Sequence, residues 1–539
     1  MHSEFIRIYK SVHTWTGIVA GMALFIAFYA GAITIFKEPL ARWAAPPSSI
    51  GGGAAVSLTD AHALIVRTLQ DHPSAAKDFR LHLKADEHLP KGISWQIRED
   101  GADDHGHSSA RHYVATLEAD GAARVEETHP SELAGFIDVL HRVVGLPVDS
   151  DPNRWVMGII AALYAVALVS GVIVLLPSLV KDFFALRVSR NLKRMWLDAH
   201  NVVGIVSLPF HIVMALTAIV FAYHDGFYYV QDKLIHDGKL ARTFQGAGSG
   251  APSAAPHNPA ELLPPTELLA RVASLSPTFE ATSLQYLKAT GPRALVRVWG
   301  HDATSHSPRF VGGFVAIDPY SGKVINTDYL PGKQDTAYAT VGSFFALHFA
   351  TFGGTPVQWM YFLLGLAGAW LFYSGNLLWI ETRRRKAGRD GGPPPEQRRD
   401  VRLMAAATVG VSLGCVCGIS LTIVAGKWLH GHVANLNAWH QYLYYAAFFA
   451  AIAWAFVAKA ARASIHLLWL AALSTLAIPL TTLLAWLAPG LGLWAHGSGA
   501  SLGVDLMALA GALGFAWMAR AAARRANNGP PDSVWSAQG

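Results

Sequence analysis

Residues Trp196–Asp225 read WLDAHNVVGIVSLPFHIVMALTAIVFAYHD and place histidines inside an apolar run of membrane length. A helix crosses a bilayer with about 20 apolar residues. His200 and His211 lie eleven residues apart, so on one straight helix their rings share a face about 16 Å apart along the axis. Gly204, one turn after His200, leaves room there for a flat group. Ionisable groups inside a membrane are costly and usually functional. The two rings therefore predict a helix that lines more than one haem; the alternative is hydrogen bonding to neighbouring helices.

The composition is that of a polytopic membrane protein with sizeable polar segments. The chain has 539 residues, 52% of them hydrophobic and 15% charged, and its mean hydropathy is +0.29. The net charge of +6 does not indicate nucleic-acid binding, because the basic residues cluster at the ends of apolar runs, which marks the cytoplasmic side. Cys415 and Cys417 are the only cysteines, and their spacing predicts small core residues. No C-x-x-C-H motif is present, so any haem is b-type and held by histidine.

Eight apolar runs, with basic clusters at alternate ends, predict a fold with both termini in the cytoplasm. We expect an all-α polytopic membrane protein of about eight transmembrane helices with two small α+β modules outside the membrane. In chain order the predicted segments are transmembrane helix 1 (1–36), module 1 (37–130), a short His-bearing helix with transmembrane helix 2 (131–177), a cytoplasmic loop (178–199), transmembrane helix 3 (200–224), module 2 (225–340), a second short His-bearing helix with transmembrane helix 4 (341–381), a cytoplasmic linker (382–401), a four-helix C-terminal extension (402–525) and a cytoplasmic tail (526–539).

Both polar modules show a short helix followed by runs with the alternation of strands. The first module has its helix at Leu58–Leu69, and in the second the DPYSG sequence at Asp318–Gly322 predicts a hairpin turn. The predicted strands are Phe79–Lys84, Ile93–Arg98, His112–Leu117, Ala122–Glu126, Ser283–Lys288, Ala294–Trp299, Phe310–Ile317 and Lys323–Asp328. Four histidines of the first module either bind a metal or belong to solvated surface: His82, His105, His107 and His112.

The first 380 residues contain two copies of one unit. His13 precedes Gly17-Ile18 by the step that separates His200 from Gly204-Ile205, and ATLEADGAARV (115–125) parallels VAIDPYSGKVI (315–325). Trp155 precedes Ser170-Gly171 as Trp359 precedes Ser374-Gly375, and VLHR and ALHF carry the histidines of the short helices. A histidine that recurs at one place in both copies is difficult to explain as packing alone.

The repeat predicts two bis-histidine haem b groups at two depths in the bilayer. His13 with His200 forms the pair near the cytoplasmic face, and His141 with His348 forms the pair near the outer face. His211 has no counterpart, because Leu24 occupies its place in the first copy. It is a haem ligand in a rival pairing, where it replaces His141 or His348, or it serves a third site or a proton or quinol contact.

Other cofactor sites have no sequence motif. The chain shows no G-x-G-x-x-G in a strand–turn–helix context and no phosphate-binding loop, so we expect no nicotinamide or ATP site. No arrangement typical of a hydrolase is present. Four histidines at the predicted outer ends of the last helices form either a metal or substrate site or interfacial hydrogen bonds: His430, His432, His440 and His496.

Several motifs resemble the PepSY-associated transmembrane family over about residues 5–385. They are VHTWTGIVAG, LHRVVGLP, KDFFALR…WLDAHNVVG, LPFHIVMALT and LHFATFGG…WMYFLLGLAG. The external modules are similar to PepSY domains, and the last four helices look like the extension of longer members. Some members are inner-membrane ferric-siderophore reductases of the FoxB type that bind two haem b groups, and others are iron-regulated membrane proteins.

The resemblance implies an enzyme of iron uptake: a di-haem oxidoreductase of the inner membrane that passes electrons to periplasmic ferric-siderophore. The donor is then quinol or a separate cytoplasmic reductase. The alternatives are a non-enzymatic membrane partner or sensor, whose periplasmic modules bind a receptor, permease or peptidase, and a transporter for the chelate or metal. No catalytic residue beyond the haem ligands follows from the sequence.

Overall fold

The computed structural model describes residues 3–47, 56–84, 92–97, 111–118, 121–128, 130–147, 154–180, 192–234, 257–305, 312–387 and 393–537. His105, His107, residues 181–191 of the predicted cytoplasmic loop and residues 235–256 of predicted module 2 lie outside the described residues. The chain divides into two compact units. The first comprises Met1–Ala44, Ser131–Ala222 and Trp359–Gly539, and the second comprises Ala45–Pro130 and Tyr223–Gln358.

Helices make up most of the described chain. They are α1 (Ser3–Thr34), α2 (Lys37–Ala44), α3 (Ala61–Asp71), α4 (Leu133–Arg142), α5 (Trp155–Leu175), α6 (Leu192–Val206), α7 (Leu208–Leu234), α8 (Pro265–Leu275), α9 (Thr336–Phe349), α10 (Gly354–Thr382), α11 (Arg399–Trp428), α12 (Leu436–Leu487) and α13 (Gly499–Asn528). The strands are β1 (Asp78–His82), β2 (Ile93–Ile97), β3 (Arg111–Leu117), β4 (Ala123–Thr128), β5 (Phe279–Leu287), β6 (Leu295–Asp302), β7 (Gly313–Ile317) and β8 (Val324–Asn326).

Seven helices of the described residues are long and apolar enough to cross a membrane. They lie at Glu4–Thr34, Trp155–Leu175, Leu208–Gly226, Gly354–Thr382, Arg399–Trp428, Leu436–Leu487 and Gly499–Asn528. The chain is therefore a multi-pass membrane protein, as its composition predicts.

Helix α12 carries two of the eight predicted spans. It has 52 residues, and Lys459 in its middle has non-helical backbone angles, φ 60° and ψ 156°. Trp454 and His466 lie on either side, and their ring centroids are only 5.8 Å apart. Twelve residues of straight helix would separate them by about 18 Å along the axis, so the chain reverses at Lys459. The predicted runs at 441–458 and 465–488 are its two limbs.

The third predicted span is not one continuous helix. Helix α6 ends at Val206 and α7 begins at Leu208, so His200 and His211 stand on different helices. Pro209 explains the interruption, because proline has no N–H to donate and its ring clashes with the preceding turn. The backbone stays close to helical there, since the His211 N–H donates to the Ser207 carbonyl at 3.0 Å. The expectation of one unbroken helix is therefore wrong, but both rings still face α10, where a Cβ on Gly375 would lie 3.6 Å from Cε1 of His200 and one on Gly368 would lie 3.1 Å from Cε1 of His211.

Small residues allow α11 to pack closely against the first limb of α12. A Cβ on Gly418 would lie 2.8 Å from Cδ2 of Tyr444, and one on Gly414 would lie 3.0 Å from the Phe448 carbonyl oxygen. Such close backbone approach is common between membrane helices. Cys415 and Cys417 are fully buried free thiols in this region, which confirms their prediction as small core residues.

All eight strands of the second unit form one antiparallel sheet in the order β4-β3-β2-β1-β5-β6-β7-β8. The sequence predicts the strands well, but it predicts two separate modules. The structure instead joins the two groups of four strands by pairing β1 with β5, with Phe79 opposite Tyr286. The physical reason is that each group would otherwise present an unpaired strand edge. Phe79 and Tyr286 stack at 4.7 Å in the core that α3 and α8 share with one face of the sheet.

Three segment boundaries differ from those predicted. Helix α2 belongs to the helical unit rather than to module 1, since Trp43 is buried there and contacts Asp505. Helix α9, with His348, belongs to the second unit. The predicted tail begins within α13, which runs to Asn528, and Trp535 beyond it is buried in the core.

We expect Phe79→Ala to weaken the joint between the two strand groups. Truncating a buried phenylalanine costs about 3–5 kcal/mol, and Phe79 is 2% exposed. Limited proteolysis should therefore cut β1 and β5 at least about a hundredfold faster, because cleavage follows the population of the open form. Leu58→Ala in the same unit, at a residue 37% exposed, should leave the rate nearly unchanged. Equal rates for both variants would contradict this account of the joint.

Candidate histidine site

The structure brings His13 of α1 and His200 of α6 together. Their ring centroids lie 6.4 Å apart, and the ring planes make an angle of 72°. Both side chains are half-buried. Helix α5 packs along α1 in the first unit, and α5 and α10 supply the groups that orient the two rings.

A main-chain carbonyl orients the ring of His13. Its Nδ1 lies 2.8 Å from the Ala167 carbonyl oxygen of α5. Because a carbonyl oxygen only accepts, Nδ1 carries the proton and Nε2 keeps its lone pair. A Cβ on Gly171 would lie 2.9 Å from Cε1 of His13, so the ring fits only because this residue is glycine. Helix α5 thus fixes both the tautomer and the position of the imidazole.

His200 is oriented in a related way by α10. Its Nδ1 lies 3.0 Å from Oγ of Ser374, and that hydroxyl donates its own proton to the Leu371 carbonyl at 2.9 Å. The hydroxyl has one proton, so His200 Nδ1 is the donor in the first contact and Nε2 again keeps its lone pair. Gly375 faces the ring, since a Cβ on this residue would lie 3.6 Å from Cε1 of His200. Gly171 and Gly375 hold the same place in the two sequence copies.

Open space lies one turn beyond each of these histidines. Among the described residues, a Cβ on Gly17 would meet no atom within 4 Å, and one on Gly204 would meet only Leu371 Cδ1, at 3.8 Å. The prediction that Gly204 leaves room beside His200 therefore agrees with the structure.

The distance between the two ring centroids is of the size expected for a metal held between two imidazoles on opposite sides. Two imidazoles that share one metal through nitrogen bonds of about 2.0 Å have ring centroids roughly 6 Å apart, close to the 6.4 Å between His13 and His200. A ligating imidazole commonly donates its other ring N–H to a carbonyl or a similar acceptor, as both do here. Within the described part of the chain no group of three or more His, Cys, Asp or Glu residues could hold a metal ion, so a metal site of the first module's histidines finds no support there.

His141 of α4 packs against α1 with the geometry of His13. Its Nδ1 lies 2.7 Å from the Ala27 carbonyl oxygen. A Cβ on Gly31 would lie 2.7 Å from the same nitrogen, so glycine is again required beside the ring. Burial lowers the pKa of His141 below its ordinary value, which favours the neutral imidazole that ligates metals.

An ion-pair cluster holds α4 one turn before His141. Asp138 Oδ2 accepts from Lys37 Nζ of α2 at 3.0 Å and lies 3.4 Å from Arg142 Nη2. Burial acts to raise the pKa of Asp138, but Lys37 and Arg142 outweigh it and hold the pKa below its ordinary value. The carboxylate therefore stays charged and ties α4 to α2.

His348 lies on α9 in the second unit, half-buried, with its ring 5.5 Å from that of Phe349. His141 belongs to the first unit, and its pairing with His348 stays a prediction.

His211 of α7 is enclosed among aromatic rings. It is 1% exposed, and its ring lies 5.5 Å from that of Phe28 and 6.1 Å from that of Phe372. Its Nδ1 lies 2.5 Å from the hydroxyl of Tyr164, while its Nε2 has no hydrogen-bond partner. A buried nitrogen without a partner is costly. Among the described residues, His211 Nε2 thus has no hydrogen-bond partner, whichever ring nitrogen carries the proton.

Two histidines of the C-terminal extension pack against aromatic rings. His430 packs edge-on against Trp494 at 5.0 Å, and buried His440 stacks on Phe136 of α4 at 6.4 Å. No three of the described histidines form a metal-binding group.

The sequence predicts the histidines but not the groups that orient them. Ala167, Ala27 and Tyr164 act through a carbonyl or hydroxyl whose position only the packed helices define. Ser374 and Gly375 were recognisable as part of the repeated Ser-Gly pair, and that pair was the available signal for a ring-facing position.

Comparison with protein families identifies the first two thirds of the chain. The sequence model described as the PepSY-associated TM region matches residues 10–382, nearly the range of the motif resemblance. No curated protein matches the chain. The match covers more than half of the chain, and it confirms the family predicted from the motifs. This multi-pass membrane protein belongs to the PepSY-associated transmembrane family.

Proposed function

We propose that this protein is an inner-membrane di-haem b reductase that passes electrons across the membrane to reduce periplasmic ferric-siderophore and release its iron. One observation carries the proposal: His13 and His200 stand 6.4 Å apart with their Nδ1 atoms engaged and their Nε2 lone pairs free. Structural histidines gain nothing from leaving two neighbouring nitrogens free.

His13 and His200 would hold the first haem. Bound between them, haem supplies reversible one-electron chemistry. The chain orients the ligands, because the Ala167 carbonyl and the Ser374 hydroxyl fix each imidazole in the tautomer that ligates through Nε2. A hydrogen bond from Nδ1 to such an acceptor also makes Nε2 a more basic ligand. Gly171 and Gly375 carry no side chain, so α5 and α10 can lie close to the two rings.

His141 would hold the second haem, with His348 as its symmetric partner. His141 shares the carbonyl anchor and facing glycine of His13, which supports the same role. The rival partner is His211, whose Nε2 is buried and unpartnered. The symmetric pairing is favoured because the repeat supplies both of its members.

The substrate is the one that the family resemblance implies, and the chemistry of iron chelates explains why reduction would release the iron. Hard oxygen ligands prefer the smaller and more highly charged ferric ion, so gain of one electron weakens the complex and releases ferrous iron. We assign the two groups of four strands as PepSY-like modules on the periplasmic side, where such a chelate arrives. The electron donor is quinol or a separate cytoplasmic reductase.

We expect both strand groups to be periplasmic and both termini cytoplasmic. This topology rests on the basic clusters at Arg187–Arg194 and Arg383–Lys386, because such clusters mark cytoplasmic loops. Reporter fusions after Ala115 and after Ala294 should report the periplasm. A cytoplasmic signal from either fusion would refute this topology.

We expect purified protein to show reduced b-type haem bands with two haems per chain. His13→Ala or His200→Ala should remove one haem, and His141→Ala or His348→Ala the other. Gly171→Ala should act like His13→Ala, because its Cβ would press on the ring. Gly514→Ala on α13, whose Cβ meets no described atom within 4 Å, is the matched control.

The number of haems bound by each variant distinguishes the symmetric pairing from the rival pairing. If His211→Ala removes a haem while His141→Ala or His348→Ala leaves two, the symmetric assignment fails. A colourless wild-type protein would remove the reductase and favour the non-enzymatic partner or sensor whose modules bind a receptor, permease or peptidase.

We expect dithionite-reduced protein to be reoxidised by added ferric-siderophore while a ferrous-iron trap gains colour. One electron leaves the reduced protein for each ferric ion, so the two signals should rise in equal amounts. The gallium complex of the same siderophore, which is not reducible, is the control and should leave the bands unchanged. A protein that stays reduced with every ferric chelate tried would contradict the substrate assignment.

A further inference from the structure

Trp43, at the end of α2, inserts into the C-terminal helices. It is 1% exposed, and its indole Nε1 donates to Asp505 Oδ1 of α13 at 2.9 Å and lies 3.2 Å from Thr482 Oγ1 of α12. Its carbonyl oxygen accepts from Nε1 of Trp494 at 3.3 Å. One residue of the first half of the chain therefore contacts α12, α13 and the segment between them.

The same indole separates two buried opposite charges. Lys427 Nζ of α11 lies 3.7 Å from the ring centroid of Trp43, a cation–π contact, and donates to the Trp494 carbonyl at 3.0 Å. Asp505 lies at the N–H edge of that indole, and Lys427 and Asp505 are 2% and 8% exposed. Buried charges at membrane helices are expensive unless they are compensated. Displacing Trp43 would leave both charges poorly compensated.

Helix α2 is in turn tied to α4 through the Lys37–Asp138 ion pair, at 3.0 Å. The C-terminal helices also hold α4 from another side, because Phe136 stacks on His440 and meets the ring of Tyr444 edge-on at 5.7 Å. Helix α4 is thus packed between α2 and the first limb of α12.

Helix α4 has ten residues, and isolated helices of fewer than about 12–15 residues are marginal. Its position must therefore come from its neighbours. We propose that Trp43, Lys427 and Asp505 form a latch by which the C-terminal extension positions α4, and with it His141. They are positioning residues, acting through α2, and the extension thereby acquires a role in the outer haem site. The consequence for haem rests on the proposed function; the mechanical link does not.

Substitutions can loosen the latch without removing its bulk. Trp43→Phe keeps an aromatic face beneath Lys427 but deletes the indole N–H. Asp505→Asn keeps an acceptor for Trp43 but deletes the charge that balances Lys427. The double variant Lys427→Met with Asp505→Asn removes both charges and should recover much of what Lys427→Met alone loses. Ser420→Ala, which removes a buried 2.9 Å contact between α11 and α12 at Thr475, is the matched control.

The first readout is hydrogen exchange of the α4 amides in the full-length protein, which reports local opening. Trp43→Phe loses a hydrogen bond to a charged group, and Asp505→Asn loses the charge that balances Lys427, so each should speed exchange in α4 about tenfold or more. Exchange in α10 should stay unchanged, and Ser420→Ala should leave α4 protected. If the α4 amides of Trp43→Phe and Asp505→Asn exchange as slowly as in the wild type, the latch is refuted. It is also refuted if α4 and α10 lose protection from exchange equally.

The second readout is haem content. The latch variants should lose the haem that His141→Ala removes and keep the one that depends on His13, halving the b-type absorbance. Retention of both haems with a loosened α4 would overturn the claim that the latch positions His141. A colourless wild-type protein would refute the proposed function. The hydrogen-exchange rates of α4 would still test the latch, because they do not depend on haem.

Discussion

The hydrogen bond from a histidine Nδ1 to an acceptor on a neighbouring helix is the interaction on which the candidate site depends. Ala167 supplies the acceptor for His13 and Ala27 supplies it for His141. A main-chain carbonyl in a helix has a second lone pair to offer, so the ring gains a partner without breaking the helix. A glycine one turn further along, Gly171 or Gly31, leaves the space for it. The outcome is a ring held in a fixed orientation through its Nδ1 atom.

Two buried ionisable groups of the helical unit are also compensated by a side chain from a different helix. In hydrocarbon, a polar group without a partner is costly, and Lys427 Nζ and Asp505 Oδ1 both contact the indole of Trp43. Because Trp43 comes from α2, satisfying these two charges also joins the C-terminal helices to the first half of the chain. The extension is therefore more than a set of additional lipid-facing spans.

In the second unit, the main constraint is the unpaired edge of each group of strands. Each group of four strands ends in an edge, and pairing β1 with β5 removes one edge from each group. The stacked rings of Phe79 and Tyr286 then place the joint within one core. A continuous sheet holds the two groups in one fixed register, which two modules linked only by a flexible chain would not have.

The sequence by itself determined the membrane class, the strands and helices of both polar segments, the family and the recurring histidines, because these depend on hydrophobic patterning and local spacing. It also predicted that Cys415 and Cys417 are core residues. Only the tertiary structure decided that Pro209 divides the helix of His200 and His211, and that β1 pairs with β5. It alone identified Ala167, Ala27 and Tyr164 as the partners of the rings. Those partners lie tens to hundreds of residues away and act through carbonyl or hydroxyl groups, which leave no mark in a sequence pattern until the helices are packed together.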